Sequence, residues 1–265
     1  MLKLTTKIVD KPWGRRGIDA RFGVDPDRQV GEIWFEPPVG LALDVMAKYL
    51  FTTERLSIQV HPDDATARKR GYPRGKDECW IVLDAGEAAE LGIGTVRDVP
   101  ATELMEAARD GSIVELMDWR KPQRGDFIYN PAETIHALGP GLTIMEIQQA
   151  VDLTYRLYDY GRPRELHLVE AADVVKARPH SNPLDTNVDG ESKLLVDGPH
   201  FGVAWCVGAP PSLPASLHDI QLLPIDATVE DVAPGECALV EDQHVRNLTA
   251  KGTFVLAWST QPRSS

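Results

Sequence analysis

Thiol pairs are missing from this chain of 265 residues: its three cysteines, Cys79, Cys206 and Cys237, are odd in number and show no CxxC spacing. That argues against a disulfide framework and against a thiolate metal site. It fits a reducing compartment, and a cytoplasmic location is expected. Long apolar runs are missing too. None approaches the roughly eighteen residues of a membrane span. The opening MLKLTTKIVDKPWG carries no extended apolar region and no small-residue cleavage site, so neither membrane insertion nor secretion is expected. Positive charge is scarce as well: 28 Lys and Arg against 40 Asp and Glu give a net charge of −12. Such a surface repels a polyanion on average and no basic stripe relieves it, so nucleic-acid binding is not expected. An anionic substrate would need positive charge concentrated locally at its site.

What is present suits a globular fold, with 43% hydrophobic and 26% charged residues and length enough for one large domain or two small ones. Short apolar stretches recur between Gly, Pro and Asp turns: VGEIWF (30–35), ECWIVLD (78–84), AELGIG (89–94), GDFIYNP (125–131), GLTIMEIQQ (141–149), FGVAWCVG (201–208) and GTFVLAW (252–258). Their spacing and their β-branched and aromatic content predict an all-β design, barrel or sandwich. Helical signal is sparse. TELMEAARDG (102–111) starts at a Thr that suits an N-cap and ends at a glycine, and SIVELMDW (112–119) follows. DDATARKRG (63–71) reads as a short helix with acids first and bases last, and RELHLVEAADVV (164–175) as a third. The polar, turn-rich stretch 178–192 reads as a connection, dividing the chain into 1–177 and 193–265.

One strand poses a chemical question. In LSIQVHPDD (56–64), alternation puts Ser57, Gln59 and His61 on one face and Leu56, Ile58 and Val60 on the other. Burying three polar side chains together is costly unless they bond to something, and a metal ion would satisfy them. Glu78 opens the next strand and His136 lies between two more, at 125–131 and 141–149. Gln59, His61, Glu78 and His136 therefore add up to an N/O donor set suited to Zn²⁺ or another divalent first-row ion. With one carboxylate and a neutral amide, such a site keeps a net positive charge and attracts an anion. The competing reading is a satisfied turn histidine at His61, before Pro62. The remaining histidines carry no partner pattern.

These segments, together with GKDECWIVLDAGEAAELGIG (75–94), GDFIYNPAETIHALGPGLTIMEIQQAVDLTYRLYDYGRPRELHL (125–168) and the earlier KPWG (11–14) and VGEIWF (30–35), resemble type I phosphomannose isomerases from about residue 7 to 175. The resemblance implies a catalytic cupin (jelly-roll) barrel over 1–177 and a smaller cupin-like β domain over 193–265. It implies one zinc per chain, held by Gln59, His61, Glu78 and His136. It also implies interconversion of mannose 6-phosphate and fructose 6-phosphate through a cis-enediol, with a small phosphosugar as partner. Matching positions assign Arg156 to the active-site arginine, Lys76 to a proposed acid/base lysine and Asp152 to an acid linked with ring opening. Ser57 matches a substrate-site serine and Arg162 a basic position at the phosphate end. Gly75 stands where some relatives carry a histidine, so that histidine's role does not carry over.

Each assignment has a structural counterpart. Arg156 and Asp152 could form an i,i+4 ion pair, Lys76 could be a solvated loop lysine, and Trp13 is read as core. Other functions also remain open at this point: a cupin isomerase or epimerase of an unphosphorylated sugar, a metal-containing sugar-binding regulator without turnover, and, fitting the ligands less well, a metal-dependent dioxygenase. The oligomeric state is not fixed by the sequence, and a monomer is compatible with it.

Overall fold

A computed structural model describes residues 1–188 and 190–262. Strands dominate, as the turn-punctuated pattern predicts, and helices are few and short. The chain forms two compact units. One comprises residues 1–51, 145–150 and 186–265, the other residues 52–144 and 151–185. Both units are discontinuous in sequence.

In the first unit, Thr5–Arg15, Val30–Glu36 and Val45–Phe51 pair antiparallel in that order. A six-stranded sheet runs Leu2–Lys3, Ala238–Val240, His218–Pro224, Thr253–Ser259, Phe201–Val207, Lys193–Asp197. Alternation along its strands feeds an apolar core that includes Ala204, Cys206, Leu222, Leu256 and Trp258. A buried charge cluster also lies here. Lys48 Nζ sits 2.8 Å from Glu146 Oε1 and 3.6 Å from Glu32 Oε2, and Lys11 Nζ is 3.3 Å from Glu32 Oε1. Trp13 is buried, in keeping with the core reading.

The second unit holds a five-stranded sheet in the order Tyr155–Tyr158, Ile58–Val60, His136–Leu138, Leu91–Thr95, Met117–Arg120. One face is apolar: Ile58, Val60, Ile135, Ala137, Tyr155 and Leu157 belong to one core cluster. Leu104, Ala108 and Ile113, from the helices Ala101–Asp110 and Ile113–Leu116, complete that core, as does Ala171 from Leu168–Ala172. Truncating a buried aliphatic here would cost about 2–5 kcal/mol, so this layer fixes the sheet from behind. The strand Glu78–Ala85 pairs antiparallel with Asp126–Asn130. No helix among the described residues is long and apolar enough to cross a membrane.

The helices differ from expectation in detail. The one expected over 102–111 begins at Ala101 behind Pro100 and has no side-chain cap, so Thr102 is not its N-cap. It does end at Gly111, whose φ of 88° suits glycine. SIVELMDW gives one helical turn, Ile113–Leu116, then the strand Met117–Arg120. Asp63 caps the helix Asp64–Lys69, accepting from Thr66 N at 2.8 Å.

Candidate metal centre and active site

Strand register assembles the site. His136 and Arg156 are each the cross-strand partner of Gln59, from opposite sides. Directly opposed residues share a face, so Arg156, Gln59 and His136 form a row on the face opposite the apolar layer. His61 follows the Ile58–Val60 strand by one residue, and Glu78 begins its own.

Four polar groups converge. His61 Nε2 is 3.4 Å from Glu78 Oε2, and His136 Nε2 is 3.3 Å from Glu78 Oε1. Gln59 Nε2 lies 3.2 Å from His136 Nε2. Donor atoms of His61, Glu78 and His136 lie within 4.8 Å of one another, and all three residues are buried. Both imidazoles are braced from behind. His61 Nδ1 is 2.9 Å from the Leu153 carbonyl, and His136 Nδ1 is 2.9 Å from the Thr134 carbonyl. A carbonyl only accepts, so each Nδ1 carries the proton and each Nε2 turns a lone pair towards the centre.

Charge follows the same plan. Burial, then the Lys76 ammonium, pushes the His61 imidazole down to about 3, against the pull of Glu78. Burial also lowers His136, with Glu78 and the Thr134 carbonyl opposing. Both rings are thus neutral near pH 7, as metal ligation requires. Burial alone would raise the Glu78 carboxyl, but the neighbouring Lys76 ammonium leads the groups that hold it well below the usual range. Two neutral imidazoles and one carboxylate, with the Gln59 amide beside them, fit a divalent first-row ion. Ser57 is buried, and its Oγ donates to Gln59 Oε1 at 3.1 Å, which orients the amide. A half-turn of that amide would exchange its oxygen and nitrogen in place.

Lys76 is not a solvated loop lysine. It is buried, with Nζ 2.7 Å from Glu78 Oε2 and 3.2 Å from His61 Nε2. Its backbone is pressed onto the HPDD segment: Lys76 N donates to Pro62 O at 3.1 Å and Gly75 N to Asp64 Oδ1 at 2.8 Å. A Cβ at position 75 would meet Asp63 C at 2.4 Å and Pro62 O at 2.6 Å. This backbone therefore has no room for a histidine at 75.

Arg156 lies in the strand Tyr155–Tyr158, not on a surface turn, and it forms no i,i+4 ion pair with Asp152. No hydrogen bond or ion pair ties its guanidinium to another described residue. Burial and the neighbouring Arg164 push its pKa down, while Asp159, Asp152 and Glu165 oppose them. Asp152 is exposed. Arg162 is braced instead of free: it donates to Glu54 Oε2 at 2.9 Å, Asp159 Oδ1 at 3.1 Å and the Arg55 carbonyl at 2.8 Å.

Several supporting residues lie outside the set that the sequence singles out. Asn130, the register partner of Glu78, donates through Nδ2 to Glu78 Oε1 at 2.9 Å. Its position at the end of a strand, opposite Glu78, could have flagged it. Glu133 N donates to His61 O, and its φ of 70° is unusual for a residue with a Cβ. His167 Nδ1 accepts from Arg156 N at 3.2 Å.

No family model matches the chain. Similarity to individual proteins is extensive. Mannose-6-phosphate isomerase of Streptococcus mutans is 32% identical over 244 residues, covering 76% of this chain and 77% of that protein. The crystal structure of mannose 6-phosphate isomerase from Bacillus subtilis superposes with a TM-score of 0.77 at 28% identity, over 98% of this chain and 99% of that one. A mannose 6-phosphate isomerase bound with zinc and yttrium shares the fold at 16% identity and a TM-score of 0.71, over 98% of this chain and all of that one (100%). The strand-dominated fold is of the cupin type, and the chain belongs to the mannose-6-phosphate isomerase family of aldose-ketose isomerases.

Proposed function

We propose that the protein interconverts mannose 6-phosphate and fructose 6-phosphate through a cis-enediol, with one zinc per chain held by Gln59, His61, Glu78 and His136. The observation that carries this reading is the convergence of two outward-braced imidazole lone pairs on both oxygens of one buried carboxylate. A relative whose structure contains zinc supports the choice of metal. When bound, zinc would supply Lewis acidity towards the sugar's carbonyl and hydroxyl oxygens.

The chain's own residues would carry the remaining steps. Lys76 is buried against Glu78 and His61, where an ammonium can lend and recover a proton beside the reacting carbons. Arg156, a permanent cation with uncommitted donors, would stabilise charge developing on the C1 and C2 oxygens. Asp152, exposed near that arginine, would serve ring opening. Ser57 would act through Gln59 as well as towards the sugar. Arg162 would hold the phosphate end, exchanging its bond to the exposed Glu54 for phosphate oxygens.

That braced Arg162 is also the observation favouring a second reading, isomerisation of an unphosphorylated sugar. A coupled assay distinguishes the two. Turnover of mannose 6-phosphate with little on free mannose supports the first. Turnover of free mannose with equal efficiency would replace it by the second.

A further inference from the structure

We propose that a second pocket, bounded by residues 131–134 and 176–182, binds an oxyanion of the phosphomonoester type. Its volume is about 260 Å³, and none of Gln59, His61, Glu78 and His136 lines it. The inference is therefore independent of the metal reading.

Charge is the first reason. Lys176, Arg178 and His180 line the pocket and no aspartate or glutamate does, in a protein whose net charge is −12. A concave basic spot on an acidic molecule is where a small anion gathers. Arg178 is exposed, and its guanidinium makes no hydrogen bond or ion pair with any described residue. Its planar fork is free to take two phosphate oxygens at once. Lys176 pairs with Glu133, but both are partly solvated, and such a pair is weak enough for an anion to compete with. His180 is fixed by a 3.0 Å contact between Nε2 and Asp185 Oδ2.

Preformation is the second reason. The wall carrying the basic residues is stitched to the rest of its unit by backbone bonds, Lys176 N to Glu133 O at 2.7 Å and Thr95 N to Arg178 O at 3.0 Å. A Cβ at Gly94, whose φ is +70°, would meet Arg178 O and His180 N at 2.6 Å, so the wall seats tightly. Binding there need not order a loose loop, which lowers its cost. Thr134, Ser181 and Asn182 add hydroxyl and amide groups suited to phosphate or to the hydroxyls beside it.

The test is calorimetric titration of the zinc-loaded full chain with inorganic phosphate and, separately, with glucose 6-phosphate. Arg178→Ala should weaken phosphate binding about tenfold or more, and Arg178→Glu should abolish it. Neither should alter KM or kcat for isomerisation, and Arg156→Ala should leave this binding event in place. The exposed side chain can be changed without touching the carbonyl that bonds Thr95. Phosphate binding that exceeds that of glucose 6-phosphate supports a free anion as occupant; the reverse order supports a sugar phosphate. Absence of binding outside the active site, or binding indifferent to both Arg178 variants, would overturn the proposal.

Discussion

Arg156 stands directly opposite Gln59 across neighbouring antiparallel strands. That single register places a permanent cation beside the neutral amide of the donor set, on the sheet face away from the apolar core. A one-residue slip would turn Arg156 into the layer occupied by Tyr155 and Leu157.

The first prediction follows from that row. Arg156→Ala removes none of the four residues proposed to hold zinc, so metal content should match that of the wild type while kcat falls about a hundredfold or more. Metal analysis alongside steady-state kinetics checks it. Loss of zinc in step with activity would make Arg156 a structural support of the metal site.

Lys76 and Glu78 form a buried pair at 2.7 Å. Removing one partner of such a pair typically costs about 3–5 kcal/mol, because the other charge is left uncompensated. Lys76→Met should therefore lower the melting temperature of metal-free protein sharply. Added zinc should recover more of that loss in the variant than it adds to the wild type. Calorimetry with and without zinc decides, and an equal deficit in both conditions would contradict the compensation.

Arg162 separates two roles by its kinetics. As phosphate anchor, Arg162→Ala should raise KM for mannose 6-phosphate several-fold more than it lowers kcat. As a brace between Glu54, Asp159 and the Arg55 carbonyl alone, it should change stability and leave KM unmoved.

Acid sensitivity has a named contributor. Burial would raise the Glu32 carboxyl, but Lys48 and Lys11 outweigh it and bring it from the ordinary 4.5 down to about 2. A carboxyl depressed on folding stabilises the protein above its unfolded pKa and loses that contribution as pH falls from about 4.5 to about 2. The amount is on the order of 3 kcal/mol. Urea midpoints measured between pH 6 and pH 3 should fall more steeply for the wild type than for Glu32→Gln.

Much of the candidate site was legible because strand alternation is legible. Ser57, Gln59 and His61 share a face two residues apart, and the structure brings Gln59 and His61 to Glu78 and His136 as the polarity of those segments suggested. The braces were not legible. The Leu153 and Thr134 carbonyls that fix the two imidazoles are backbone atoms, which any residue type could supply. The cluster around Glu32 and Lys48 was hidden for another reason: a charged residue inside VGEIWF reads as the solvent-facing member of an alternating strand until its partners on other strands are known. Thr102 misled because Ser and Thr favour N-caps only in general, while here Pro100 starts the helix without a side-chain bond.

The most direct test of the account is turnover of mannose 6-phosphate by chelated protein titrated with zinc. The account predicts negligible activity after chelation, a linear return on adding zinc and a plateau at one equivalent per chain. Full activity in the chelated, metal-free protein would contradict it.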